Sequence, residues 1–319
     1  MGLRLVFIFL FALFGSAVVS AQSPTRLAIV DLVGDESKEL SSLLRGLAKA
    51  STNAFELSDE DLIRLASRGA GYAGSLNLSR DEARALGQSI GCDFYVLGKV
   101  QTARRLAPGE QFYFDALAGL FFVESRSGKL IQFIYERAKA QQERQAMEQL
   151  KDNLKQNWPR YAAAIAAARK LQAAAIESVG QPSPPPVEVL TDDLAAGGVL
   201  QPFFYQRIKP EYTEQADLAG IVATVELEAV FREDGTIGEI EIVRWAGFGL
   251  DESAVATVKK LRFKPALRGE KPLTIIGLVR YNFRRPLSQA ERQEEIERLK
   301  RSLQNIKQVP TQTSGRPKP

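Results

Sequence analysis

The nine residues from Ala223 to Phe231 alternate, with Val230 the one apolar residue on the polar side. Ala223, Val225, Leu227, Ala229 and Phe231 fall on one face, with Thr224, Glu226 and Glu228 on the other. A period of two is the mark of a strand with one buried and one wet face, and no helix satisfies it. "REDGT" follows, and its Asp234-Gly235 pair supplies the positive φ angles a tight hairpin needs. In "IGEIEIVRWAG" Ile240 and Ile242 alternate with Glu239 and Glu241, which makes the return strand. The next stretch, "GFGLDESAVATVKKLRFKP", predicts a short helix opening at Leu250-Asp251, with Asp251 as its N-cap. Ala254, Val255, Val258 and Leu261 share a face that can cover the hairpin. Lys259 and Lys260 sit where the helix dipole favours cations. Phe263 anchors the exit, and Pro265 prevents the helix from resuming. "LRGEKP" turns the chain into a last strand, "LTIIGLVRYNF". With "EQADLAG" as a first short helix, residues 200–285 predict two short helices on a three-stranded antiparallel sheet.

A chain of 319 residues has room for a second domain. Residues 25–135 predict it as α/β: "RLAIVDLVG" as a buried strand, then a helical stripe at Leu40, Leu43, Leu44 and Leu47. "AFELSDEDLIRLASRG" starts extended and becomes helical. Ser79 and Glu82 form a capping pair before a further helix that Gly91 can end. "DFYVLGKVQTAR" and "FYFDALAGLFFVESRSGKLIQFIY" read as strands around a Ser127-Gly128 turn. The whole is an α+β chain. Residues 136–177 are rich in helix formers, with Pro159 expected to break or kink them, and either pack on the first domain or form an arm. A Pro-rich linker occupies 178–189. Residues 286–319 read as a charged helix, with Ser288 and Glu291 as its capping pair and a stripe of Ile296, Leu299, Leu303 and Ile306, then a disordered tail.

Several chemistries are set aside. There is no His, which removes His-assisted nucleophiles and His-ligated metals; neither a metal nor a cofactor is expected, and no enzyme. The single cysteine, Cys92, cannot form an internal disulfide and reads as a buried thiol. "GAGYAG", residues 69–74, matches a dinucleotide-binding pattern only on paper, because a helix rather than a strand precedes it. The net charge of +4 is spread among acids, so no nucleic-acid partner is expected. Residues 1–21 combine a basic start, an apolar run and Val19-Ser20-Ala21 before Gln22, which predicts a cleaved export signal or, alternatively, a membrane anchor formed by residues 5–20.

The ordered set Pro210, Tyr212, Gly220, Asp234, Gly235, Leu250, Asp251, Ala254, Arg262, Phe263, Pro265, Gly269 and Pro272 resembles the C-terminal domain of TonB-type energy transducers. The resemblance covers residues 200–285. It implies a periplasmic protein whose last strand, with the segment before the first helix, receives an extended peptide of an outer-membrane TonB-dependent receptor or another envelope protein. Inner-membrane motor proteins would supply force. The implied contact residues are Lys209, Pro210, Tyr212, Leu273, Ile275, Ile276, Leu278, Val279 and Tyr281. The physical counterpart is an open sheet edge, which accepts a new strand through main-chain hydrogen bonds unless the helix of residues 287–307 covers it. The chain departs from the transducers in lacking any His and a long periplasmic rod, and in having Thr213 after Tyr212 and Lys209 in place of Gln. A non-energising adaptor therefore stays open beside a transducer. The first domain is more loosely similar to α/β domains of the curli-secretion type, through "LAIVDL" and "GCDFYVLGKV".

Overall fold

The computed structural model describes residues 24–51, 54–106, 112–177, 188–189, 198–286, 292–294 and 296–301. The predicted export signal, most of the Pro-rich linker, the Ser288 and Glu291 capping pair, Leu303 and Ile306, and the tail lie outside these residues.

In the first half, β1 (Thr25–Ile29), α1 (Glu39–Ala50), β2 (Phe55–Leu57), α2 (Glu60–Gly69), α3 (Arg80–Ile90), β3 (Phe94–Leu106), β4 (Phe112–Glu124), β5 (Leu130–Ala140) and α4 (Glu143–Glu177) follow one another. They build a five-stranded sheet in the order β2-β1-β3-β4-β5. β1 runs parallel to β2 and β3, whereas β3, β4 and β5 are antiparallel. Local chemistry sets the helix starts. Asp59 accepts from the amides of Asp61 and Leu62 at α2, and Ser79 and Glu82 close a reciprocal capping box at α3. One sheet face is covered by α1 and α4, through Leu40, Leu44, Leu150, Leu154, Trp158 and Tyr161. Pro159 does not end α4 as expected. Its ring lies on the exposed side, and Leu150, Leu154, Trp158, Tyr161 and Ile165, buried on either side of it, hold both parts of the helix to the sheet. Cys92 is buried beside the Ser125 hydroxyl at 3.3 Å, and burial pushes its thiol pKa up.

The second half comprises β6 (Glu188–Val189), β7 (Val199–Leu200), β8 (Phe203–Phe204), α5 (Glu214–Ala219), β9 (Ala223–Phe231), β10 (Ile237–Arg244), α6 (Leu250–Val258), β11 (Phe263–Lys264), β12 (Ala266–Arg268), β13 (Lys271–Leu273) and β14 (Ile275–Phe283). Its sheet has the order β10-β9-β14-β6, with three long antiparallel strands and β6 as a two-residue parallel addition. Smaller ribbons, β11-β8 and β13-β12-β7, flank it. The alternation of β9 is realised: every second residue from Ala223 to Phe231 is buried. Asp251 does not cap α6. Gly249 holds the N-cap position, and the Asp251 carboxylate turns back to accept the amides of Ala246 and Gly247, each at 2.8 Å. Burial pushes its carboxyl up to about 7 against the pull of those two amides.

The other face of the five-stranded sheet carries α2, α3 and the second half, and all of these share one hydrophobic cluster. Phe248, fully buried with φ 53°, sets its ring 4.9 Å from Phe133, 6.0 Å from Tyr135 and 6.2 Å from Phe121. Gly119 of β4 makes room for it, since a Cβ there would come within 2.5 Å of the ring. The Asn77 amide donates to the carbonyls of Thr224 (2.8 Å) and Trp245 (2.6 Å), and its oxygen accepts the Thr224 amide (2.9 Å). Lys99, Gln101 and Arg105 donate to carbonyls of Ala219 and Leu218, which satisfies the C-terminal end of α5. Arg105 and Arg137 both bind the fully buried Asp115.

Candidate partner-docking edge

The two edges of the second-half sheet differ. The β10 edge meets the first half at its C-terminal end: Ser79 bridges Arg244, Arg80 and Lys129 reach Glu241 at 2.6 and 2.7 Å, and Glu82 pairs with Arg244 at 3.1 Å, while no described strand pairs with the outer side of residues 237–243. The β14 edge is occupied by β6 only at Ile275 and Ile276. From Gly277 to Phe283 no described strand pairs with its outer side. Among the described residues these seven have no strand partner on that side, over about 20 Å of edge. The described residues of the C-terminal helix, including Ile296 and Leu299, are all exposed, and none lines the groove beside this edge.

A groove runs beside this edge. Gly277, Leu278, Val279, Arg280 and Tyr281 line one side, and Pro202 to Phe204 with Gln206 to Lys209 line the other, with Phe231 and Leu261 completing it. β8 holds that segment in place by pairing Phe203 with Lys264 and Phe204 with Phe263. Phe204, Phe231 and Phe263 pack as a trio with ring centroids 5.0–5.9 Å apart. Gly277 admits the Phe231 ring, which a Cβ would meet at 2.9 Å. Leu278 is 55% exposed and points away from the core face.

The residues singled out from sequence do not all fall together. Lys209, Leu278, Val279 and Tyr281 line the groove. Ile275 is fully buried in the core, and Ile276 lies under β6. Leu273 belongs to the β12-β13 hairpin, opposite Ala266, rather than to the edge strand. Tyr212 is a structural clamp: its hydroxyl donates to the carbonyl of Ile221 (2.6 Å) and lies 3.2 Å from that of Ala216, across the end of α5. Pro210 is half-buried just before it. The expected framework residues hold the scaffold. Gly220 ends α5 with φ 62°, Asp234 accepts from the Thr236 amide and hydroxyl in the hairpin turn with Gly235 at φ 80°, and Leu250 is buried. The Arg262 carbonyl accepts the Tyr205 amide, Phe263 is buried, and Pro265 separates β11 from β12. Sequence reasoning missed Phe203, Phe204, Arg207 and Ile208; an aromatic run bracketed by Pro202 and Pro210 was the available signal.

Residues 208–284 match the family model of the Gram-negative bacterial TonB protein C-terminal region. Residues 208–284 accordingly form a TonB C-terminal domain. Among solved structures the chain is similar to the TonB C-terminal domain of Pseudomonas aeruginosa, with 20% identity over 28% of this chain and 91% of that one, at a TM-score of 0.24. It is also similar to a hypothetical protein of Chlamydia trachomatis, with 12% identity over 45% and 99% of the two chains, at a TM-score of 0.31. A lipoprotein of Neisseria meningitidis is similar at 14% identity over 48% and 99%, with a TM-score of 0.28. No curated protein matches the chain. No helix among the described residues is long and apolar enough to cross a membrane.

Proposed function

We propose that this is an exported envelope protein that docks a partner by strand addition on β14. An extended partner segment pairs with Gly277–Phe283 and lies in the groove between that edge and residues 202–209. The observation that carries the reading is the apolar groove beside the stretch of β14 that no described strand pairs, whereas the C-terminal end of the β10 edge meets the first half through Glu241 and Arg244. Main-chain hydrogen bonds would supply affinity, and the side chains facing Leu278, Val279 and Tyr281 would supply specificity. An outer-membrane TonB-dependent receptor is the partner in this reading, with energy-dependent transport as the process served.

A second reading, a non-energising adaptor, is favoured by the common core of the two halves. A docking module fixed to an α/β body by Phe248 and Asn77 suits assembly of envelope components. Both readings use the same edge. Leu278→Pro tests it, because proline removes a main-chain donor from the strand. Partner binding is expected to be lost in Leu278→Pro and weakened less in Leu278→Ala, which keeps the backbone. Full binding by a folded Leu278→Pro variant would exclude strand addition here.

A further inference from the structure

Beyond the groove lies a second surface, at the tip formed by the small ribbons. Residues 198–210 and 262–273 carry six Lys and Arg (Arg207, Lys209, Arg262, Lys264, Arg268 and Lys271) against one acid, Glu270, with Glu233 of the β9-β10 turn beside them, while the rest of the chain holds 36 Lys and Arg against 37 Asp and Glu. All six of these cationic side chains are exposed. Strand pairing interleaves them with exposed apolar side chains. Phe203 stands opposite Lys264, the Tyr205 amide binds the Arg262 carbonyl, Leu200 stands opposite Leu267, and Arg268 stands opposite Lys271. Leu200, Phe203 and Tyr205 are 62%, 63% and 58% exposed, and the two rings meet edge to face at 5.9 Å.

We propose that this tip docks on a bilayer surface bearing anionic lipid headgroups. Aromatic and aliphatic side chains that protrude among Lys and Arg suit the membrane interface, where rings enter the headgroup region and cations meet phosphates. An acidic peptide fits less well. Leu200, Tyr205, Arg262, Lys264, Arg268 and Lys271 all lie outside the groove, so a strand bound there leaves them uncovered. The tip extends the contacts of the second half without depending on strand addition.

Flotation with phospholipid vesicles tests this, using the chain beginning at Gln22, which keeps every described residue. Binding is expected to vesicles of mixed phosphatidylcholine and phosphatidylglycerol, to weaken as salt rises, and to be absent with phosphatidylcholine alone. Each cation near an anionic surface is worth about 1 kcal/mol, so Lys264→Gln with Lys271→Gln should weaken binding about thirtyfold. Phe203→Ser with Tyr205→Ser should also release the protein, whereas Lys170→Gln on α4 and Leu278→Pro should not. Equal binding to neutral vesicles, or unchanged binding by both tip variants, would overturn the proposal. So would binding to poly-glutamate with none to anionic vesicles, which would reassign the tip to an acidic protein segment.

Discussion

The contact between Phe248 and Gly119 joins the two halves, and its removal has a calculable effect. Phe248→Ala deletes a fully buried ring that touches three aromatic neighbours. Such truncations cost about 3–5 kcal/mol. Gly119→Ala attacks the contact from the other side: the new methyl would lie 2.5 Å from the Phe248 ring and 3.4 Å from that of Phe133. Overpacking of that kind costs about 1–3 kcal/mol. With the Phe248 ring gone, the methyl gains space, so the double variant should be no less stable than Phe248→Ala alone. The expected coupling is about 1–3 kcal/mol, read by urea unfolding followed through tryptophan fluorescence and circular dichroism. The native protein should unfold in one transition by both probes, with Trp158 reporting the first half and Trp245 the second. Additive costs would refute the contact. Two separate transitions in the native protein would refute a common core.

Three further outcomes concern Asp251, Asn77 and Pro159. Asp251 is raised from 3.8 to about 7, so the folded state holds its proton more tightly than the unfolded chain; its contribution is full below pH 3.8 and is lost as pH rises through 7. Asp251→Asn should flatten that fall in a pH series of urea midpoints. Asn77→Ala removes three hydrogen bonds between the halves and should cost about 2–4 kcal/mol in the same assay. Pro159→Ala should raise the thermal midpoint, because it restores a donor inside an exposed turn of α4 and gains about 1–3 kcal/mol.

Much of the second half was legible because its signals are local. The β9-β10 hairpin follows from alternation and from Asp234-Gly235, and the end of α6 follows from the apolar face running into Phe263 and Pro265. What escaped is non-local. Two-residue pairings such as β6 on Ile275-Ile276, or β8 on Phe263-Lys264, leave no periodic trace in sequence. Asp251 looked like a cap because a cap and a carboxylate that reaches back to preceding amides share the same residue type. Pro159 looked like a stop because propensity is a local quantity, while the packing of Trp158 and Tyr161 against the sheet is not. Tyr212 was expected in the binding segment before α5; its hydroxyl donates to the carbonyl of Ile221 and lies beside that of Ala216, a non-local pairing with no trace in the sequence. Phe248 carries the join between the halves, and only its place between Gly247 and Gly249 hinted that its backbone was unusual.

The central claim is that the free edge of β14 receives the partner. Site-specific photo-crosslinking in intact cells tests it directly, with the photoreactive residue placed in turn at positions 278 on β14, 239 on β10 and 65 on α2. Leu278, Glu239 and Leu65 are all exposed, so none is silent for want of access. The account predicts an adduct with an envelope protein from position 278 and none from position 239. Adducts from position 65 or 239 with none from 278 would contradict it and move the docking surface away from β14.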